Sequence, residues 1–183
     1  MRIITGKARG LKLVTPKDYR VRPTADRVKE ALFNIIATKI PGTKVLDTFA
    51  GTGNLGLEAW SRGASEITFL DFSIDSLKLV KANIEKARAA KDCTVMKGDS
   101  LDCMVRLSHQ GKLFDIIFSD PPYNKGLNEK VVKTLLAHPL LRPQGLLVLE
   151  HSLEEESLSY LPAGWEVRTE KYGDTKISLI VWK

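Results

Sequence analysis

The chain has 183 residues, 43% hydrophobic and 27% charged, with a net charge of +6 and two cysteines. That length buries roughly 70% of the surface an unfolded chain exposes, enough for one domain, and the composition excludes disorder, repeats and low complexity. The opening residues lack a signal peptide's apolar region and no apolar run approaches the ~18 residues of a membrane span, so a single cytoplasmic domain over residues 1–183, without a membrane partner, is expected.

Residues 1–20 read as a basic, hairpin-like extension. Residues 1–39 hold ten of the 28 Lys/Arg and three of the 22 Asp/Glu, leaving eighteen against nineteen elsewhere, so the whole positive excess lies at this end. Arg2, Lys7, Arg9, Lys12, Lys17, Arg20, Arg22, Arg27 and Lys29 form a density that draws phosphates by counterion release, the footprint of a nucleic-acid partner. A leading helix follows over 24–39: Thr24 can cap it, Val28, Ala31, Leu32, Ile35 and Ile36 recur at helical spacing, and Pro41-Gly42 ends it.

From Lys44 apolar runs alternate with amphipathic helices through residue 183. Strands are expected at Val45-Leu46, Ile67–Leu70, Thr94–Met96, Phe114–Ser119 and Gly145–Leu149. Helices are expected near Leu55–Arg62, over Ser73–Ala89, after Ser100 and over Asn128–Ala137. Runs such as Leu146-Leu147-Val148-Leu149 suit parallel strands covered by helices on both faces. Trp165–Arg168 and Ile177–Trp182 flank Gly173-Asp174, which suits a hairpin and makes the last strand antiparallel. Glu154-Glu155-Glu156 reads as the first turn of a helix capped by Ser152. Cys93 and Cys103 read as packing residues, as do His109, His138 and His151, which share no ligand spacing, so no metal site is assigned.

Asp47-Thr48-Phe49-Ala50-Gly51-Thr52-Gly53-Asn54-Leu55-Gly56 follows the first strand, where glycines permit a tight turn and close approach of a ligand to the backbone. The glycines fit a dinucleotide or S-adenosylmethionine equally. Asp47 separates them: a carboxylate there meets a pyrophosphate as a like charge but welcomes the ammonium and sulfonium of S-adenosylmethionine. No Lys-Ser/Thr follows the glycines, as a P-loop requires. Asp71, at the end of the second strand, can accept both ribose hydroxyls, and Phe72 can pack on adenine. Asp99 and Ser100 lie where the adenine amine is within reach, with an N-cap role for Asp99 as the other reading.

The fourth strand ends in Asp120-Pro121-Pro122-Tyr123, at the carboxyl edge where open α/β sheets bind ligands. Consecutive prolines fix φ and supply no N–H, which leaves the Pro121 carbonyl as an outward acceptor. An exocyclic base amine is a poor nucleophile because its lone pair is delocalised into the ring. The Asp120 carboxylate and Pro121 carbonyl can each accept one of its hydrogens and aim the lone pair at a methyl donor, while Tyr123 stacks on the base.

These residues together resemble the RsmD family of bacterial small-subunit ribosomal RNA guanine-N2 methyltransferases over nearly the whole chain. The likeness rests on Thr5-Gly6-Lys7-Ala8-Arg9-Gly10, the run from Arg22-Pro23-Thr24 through Phe33-Asn34, Asp47–Gly53 and Asp120–Tyr123. It implies an α/β Rossmann-like methyltransferase fold with a mostly parallel seven-stranded sheet. It also implies S-adenosylmethionine as donor and a guanine of 16S rRNA, met in a ribosomal particle, as target. Arg22, Thr24 and Arg27 would border the active site, making Lys7, Arg9, Arg22, Thr24 and Arg27 the candidate nucleic-acid contacts. Relatives often carry Glu where this chain has Asp71. The rivals are an adenine-N6 methyltransferase, for which the chain has no spare segment to read DNA, a non-catalytic RNA-binding module, and a nicotinamide-dependent oxidoreductase.

Overall fold

The structure, a computed structural model, describes residues 1–16, 23–122, 126–154 and 158–183, and of residues 23–25 the backbone alone. Five strands, β1 (Lys44–Asp47), β2 (Glu66–Asp71), β3 (Cys93–Lys97), β4 (Phe114–Ser119) and β5 (Leu141–Ser152), run parallel. β6 (Glu166–Tyr172) and β7 (Thr175–Val181) form a hairpin whose β7 pairs antiparallel with β5. The sheet order is β3-β2-β1-β4-β5-β7-β6, the mixed, mostly parallel arrangement expected. Gly173, at φ +59°, supplies the left-handed residue that opens the β6–β7 turn.

Side-chain alternation along each strand divides the core into two layers. Val45, Ile67, Phe69, Phe118, Val148 and Leu179 join one cluster with α1 (Pro23–Ile35), α2 (Asn54–Ser61) and α3 (Ile74–Ala87). Leu46, Leu70, Ile117, Leu147, Leu149 and Ile180 join another with α4 (Ser100–His109) and α5 (Leu127–Ala137). Both faces are therefore apolar, which is why β4 and β5 read as continuous hydrophobic runs.

The N-terminal extension is a loop closed by an Arg2–Lys12 bridge, with Ile3 and Leu11 hydrogen-bonded at 2.9 Å. It is fastened along α2 by buried polar groups. Glu58, fully buried, accepts the Ile4 and Thr5 amides at 2.8 and 3.1 Å, and the Ser61 hydroxyl donates to the Thr5 carbonyl at 2.7 Å. Gly6 turns there at φ +92°, and a Cβ on it would lie 1.9 Å from the Ser61 carbonyl oxygen, so no other residue fits.

Three local expectations are corrected. The leading helix begins at Pro23, so Thr24 sits inside its first turn and does not precede it; proline presets φ for that turn. It ends at Ile35, and Ala37–Lys39 form a separate 3₁₀ turn, so the helical span is not continuous over 24–39. Ser152 does not cap a helix: it ends β5, paired with Thr175, because strand pairing with the hairpin extends past Leu149. Glu155 and Glu156 lie outside the described residues.

Candidate active site

The acids singled out in the sequence stand at the carboxyl ends of neighbouring strands: Asp47 ends β1, Asp71 ends β2 and Asp120 follows β4. Between β1 and α2 the chain turns at Gly51 and Gly53, at φ +54° and +79°. Gly56 serves packing instead, because a Cβ there would lie 2.3 Å from the Phe69 ring and its absence lets α2 approach β2 closely. Asp71 braces the turn, accepting the Gly51 amide at 2.9 Å through one oxygen and the Ser73 amide at 2.8 Å through the other.

Asp47 is 1% exposed; its Oδ2 accepts the Gly56 amide at 3.1 Å, while its buried Oδ1 has no hydrogen-bond partner among the described residues. Burial pushes its carboxyl up to about 7, the nearby Asp71 charge adding to the shift and the backbone N–H groups of Gly56 and, more weakly, Phe49 opposing it. Asp120 is raised well above the ordinary carboxylate range, first by desolvation, then by the charges of Glu150 and Asp47. A positively charged ligand beside buried Asp47 and half-buried Asp120 would lower both carboxyls again.

Two connected clefts share Phe49, Gly51, Ser76 and Asp120. The larger, about 610 Å³, carries Asp47, Asp120, Glu150 and Asp174 and is also lined by Asn54. The smaller, about 440 Å³, is walled by Phe49, Phe72, Pro121 and Pro122, with Asp71 and Ser100 at its polar side. Phe72 is 71% exposed, an open apolar face for a planar ring to cover. Of the candidate cofactor residues, Gly53 and Asp99 line neither cleft: Gly53 turns the loop and Asp99 caps α4, its Oδ1 accepting the Leu101 and Asp102 amides at 2.9 and 3.2 Å. Tyr123 lies outside the described residues.

The candidate nucleic-acid residues divide. Lys7 lies over the Trp60 ring, 3.8 Å from its centroid, and 4.0 Å from Asp92, which precedes β3. That is the amino end of the sheet, opposite the clefts. Arg9 and Arg27 face a groove between the extension and α1, together with Arg2, Asp26 and Glu30. Arg22 and the side chain of Thr24 lie outside the described residues. Lys29, counted in the basic density, is 3% exposed: its Nζ donates to the Arg2 carbonyl and to Asn54 Oδ1, both at 2.6 Å, and meets Glu58 at 3.2 Å. It is therefore a core residue and offers no charge to a phosphate.

Residues 1–181 match the family model described as Conserved hypothetical protein 95. A Haemophilus influenzae relative named Ribosomal RNA small subunit methyltransferase D is 36% identical over 93% of this chain and 88% of its own length. The chain belongs to this family, the RsmD family. The solved Escherichia coli protein yhhF matches the RsmD-family chain with a TM-score of 0.88 and 32% identity, covering 100% of this chain and 98% of that one. At the level of fold alone, an Agrobacterium tumefaciens SAM-dependent methyltransferase matches with a TM-score of 0.66 at 20% identity, over 88% of this chain and 63% of that one. The fold of this RsmD-family methyltransferase is thus the Rossmann-like one that the family resemblance implied.

Some residues of the site escaped the sequence reading. Glu150, in β5, and the β6–β7 turn from Tyr172 to Thr175 line the larger cleft of this RsmD-family protein. Glu150 carried a usable signal: an acid directly after Leu146–Leu149 repeats the placement of Asp47, Asp71 and Asp120 after their apolar runs. The turn carried none, since a hairpin loop gives no indication of which cavity it closes. Among the described residues no group of three or more His, Cys, Asp or Glu side chains could hold a metal, and no helix is long and apolar enough to cross a membrane.

Proposed function

We propose that the chain transfers a methyl group from S-adenosylmethionine to the exocyclic N2 of a guanine in small-subunit ribosomal RNA, met within a ribosomal particle. One observation carries the reading: Asp47, whose buried Oδ1 has no partner among the described residues, and the Asp120-Pro121-Pro122 corner line connected clefts. The fit to the cofactor follows from the donor set. Asp47 would take the cationic amino-acid end, Asp71 the ribose, and Phe72 with Pro121 and Pro122 the adenine, while Gly51 gives the backbone room. S-adenosylmethionine supplies, when bound, an electrophilic methyl on a sulfonium.

The chain's own residues do the rest. Asp120 and the Pro121 carbonyl accept the two N–H groups of the amine and hold its lone pair in line with the methyl. Holding reactants so can contribute several of the roughly 7–11 kcal/mol available from orientation. As the nitrogen gains positive charge the Asp120 carboxylate is stabilised and becomes the natural acceptor of the departing proton. The base must leave its stack to reach this corner, which costs least in a loop or single strand. Arg9 and Arg27 contact phosphates outside the cleft, and Arg22, Thr24 and Tyr123 complete the substrate side.

The test is transfer of labelled methyl to unmodified small subunits, followed by mapping of the base. Wild type is expected to label one guanine at N2, and Asp120→Ala to transfer about 10²–10⁴-fold more slowly while still binding cofactor. Label on an adenine, or equal rates for the two proteins, overturns the proposal.

A further inference from the structure

Glu150 has no role in the reaction as set out above, yet it lines the same cleft as Asp120. Ser119 and Leu149 are register partners, so Asp120, just past β4, and Glu150, still within β5, take adjacent places on neighbouring parallel strands. A buried asparagine fixes that spacing: Asn128, 4% exposed, accepts the Ser119 hydroxyl at 2.8 Å and donates to the Glu150 carbonyl at 2.9 Å. The two carboxylates sense each other, the Glu150 charge contributing to the raised Asp120 carboxyl. Two half-buried carboxylates side by side at one cleft repel each other and suit a ligand that presents adjacent N–H donors.

Guanine is such a ligand. Its Watson–Crick edge places N1–H next to the N2 amine, so a base whose N2 is held at Asp120 presents a second donor one ring atom away. In adenine and in 2-aminopurine the ring nitrogen beside the amine carries a lone pair, which a carboxylate repels. Resting on the guanine-N2 reading, we infer that Glu150 is a specificity-determining residue that accepts the guanine N1–H beside Asp120. Neighbouring strands lie about 4.8 Å apart, which brings the Asp120 and Glu150 side chains within reach of one base edge. Asp120 acts on the reacting amine; Glu150 reads the atom that tells guanine from the other amine-bearing bases.

The experiment compares wild type with Glu150→Gln on small subunits reconstituted with guanine or 2-aminopurine at the nucleotide that wild type modifies. 2-Aminopurine keeps the amine and lacks the N1–H. Wild type is expected to prefer guanine strongly; Glu150→Gln, whose amide can donate to the bare ring nitrogen, is expected to lower the kcat/KM ratio of guanine to 2-aminopurine roughly ten- to hundredfold. Cofactor affinity by calorimetry and the thermal midpoint should stay at wild-type values, showing that the fold survives. An unchanged ratio, or equal losses on both substrates, overturns the inference and leaves the guanine-N2 reading standing. Failure of wild type to modify guanine overturns the reading itself, and the inference with it.

Discussion

Two regions of the molecule bury carboxylates and treat them oppositely. At the seam between the N-terminal extension and α2, Glu58 is saturated: it accepts two extension amides, meets Lys29 at 3.2 Å and accepts Arg62 Nε at 2.8 Å. At the cleft, buried Asp47 keeps an oxygen without a hydrogen-bond partner among the described residues, and half-buried Asp120 sits among like charges. Burial is common to both, so burial alone does not mark a site. What marks it is the Asp47 oxygen left unfilled among the described residues, an energetic cost that a cationic ligand or an N–H donor would offset.

The strongest way to break this contrast is Glu58→Ala. Removing one member of a buried ion pair strands Lys29, whose ammonium is already disfavoured by burial. We expect a loss of about 3–5 kcal/mol in denaturant unfolding. A loss below about 1 kcal/mol would equate Glu58 with an exposed pair and remove its structural role.

Asp47→Asn sharpens the other side. The folded carboxyl, raised to about 7, lies above its unfolded value near 4, so the folded chain holds the proton more tightly. Ionisation therefore opposes folding, and stability falls as pH rises from about 4 towards 7 and stays lower beyond. Asparagine should flatten that slope and raise stability above pH 7 by about 1–3 kcal/mol relative to wild type. Cofactor affinity should move the opposite way: it rises with pH towards 7 in wild type as Asp47 ionises, and is about tenfold weaker and less pH-dependent in the variant, read by calorimetry between about pH 5 and 8.

The smallest effects belong to the outer surface of the seam. Arg9→Ala and Arg27→Ala should each reduce the log–log salt slope of RNA binding by about 0.7–0.9, with a few-fold loss of affinity, whereas Lys7→Ala should leave the slope unchanged. A drop for Lys7 would mean that RNA reaches the amino end of the sheet.

The sheet and its helices were legible because their residues face one environment each: two-residue alternation and apolar runs report burial directly. The acids at strand ends were legible for the same reason, since a charge closing an apolar run stands where the sheet ends. Lys29 and Glu58 were not. Each looks like an ordinary solvent-facing helical charge, and only the extension lying across α1 and α2 makes them interior. Asp99 read two ways, and its capping of α4 is decided by local amides. The acidic run after Ser152 misled because strand pairing outlasts the apolar pattern that signals it.

The extension's fastening has a consequence for biogenesis. Its amides and carbonyls find their partners on Glu58, Ser61, Asn83 and Lys86, the last two lying 69 and 74 residues beyond the atoms they hold. At about 5–20 residues per second of synthesis, the opening loop waits several seconds before α3 emerges to receive it. Docking of this strap is thus completed only once α3 has been made, and a refolding assay that follows protection of the Val14 amide, which Asn83 accepts, should see it close after the amides within α3 itself.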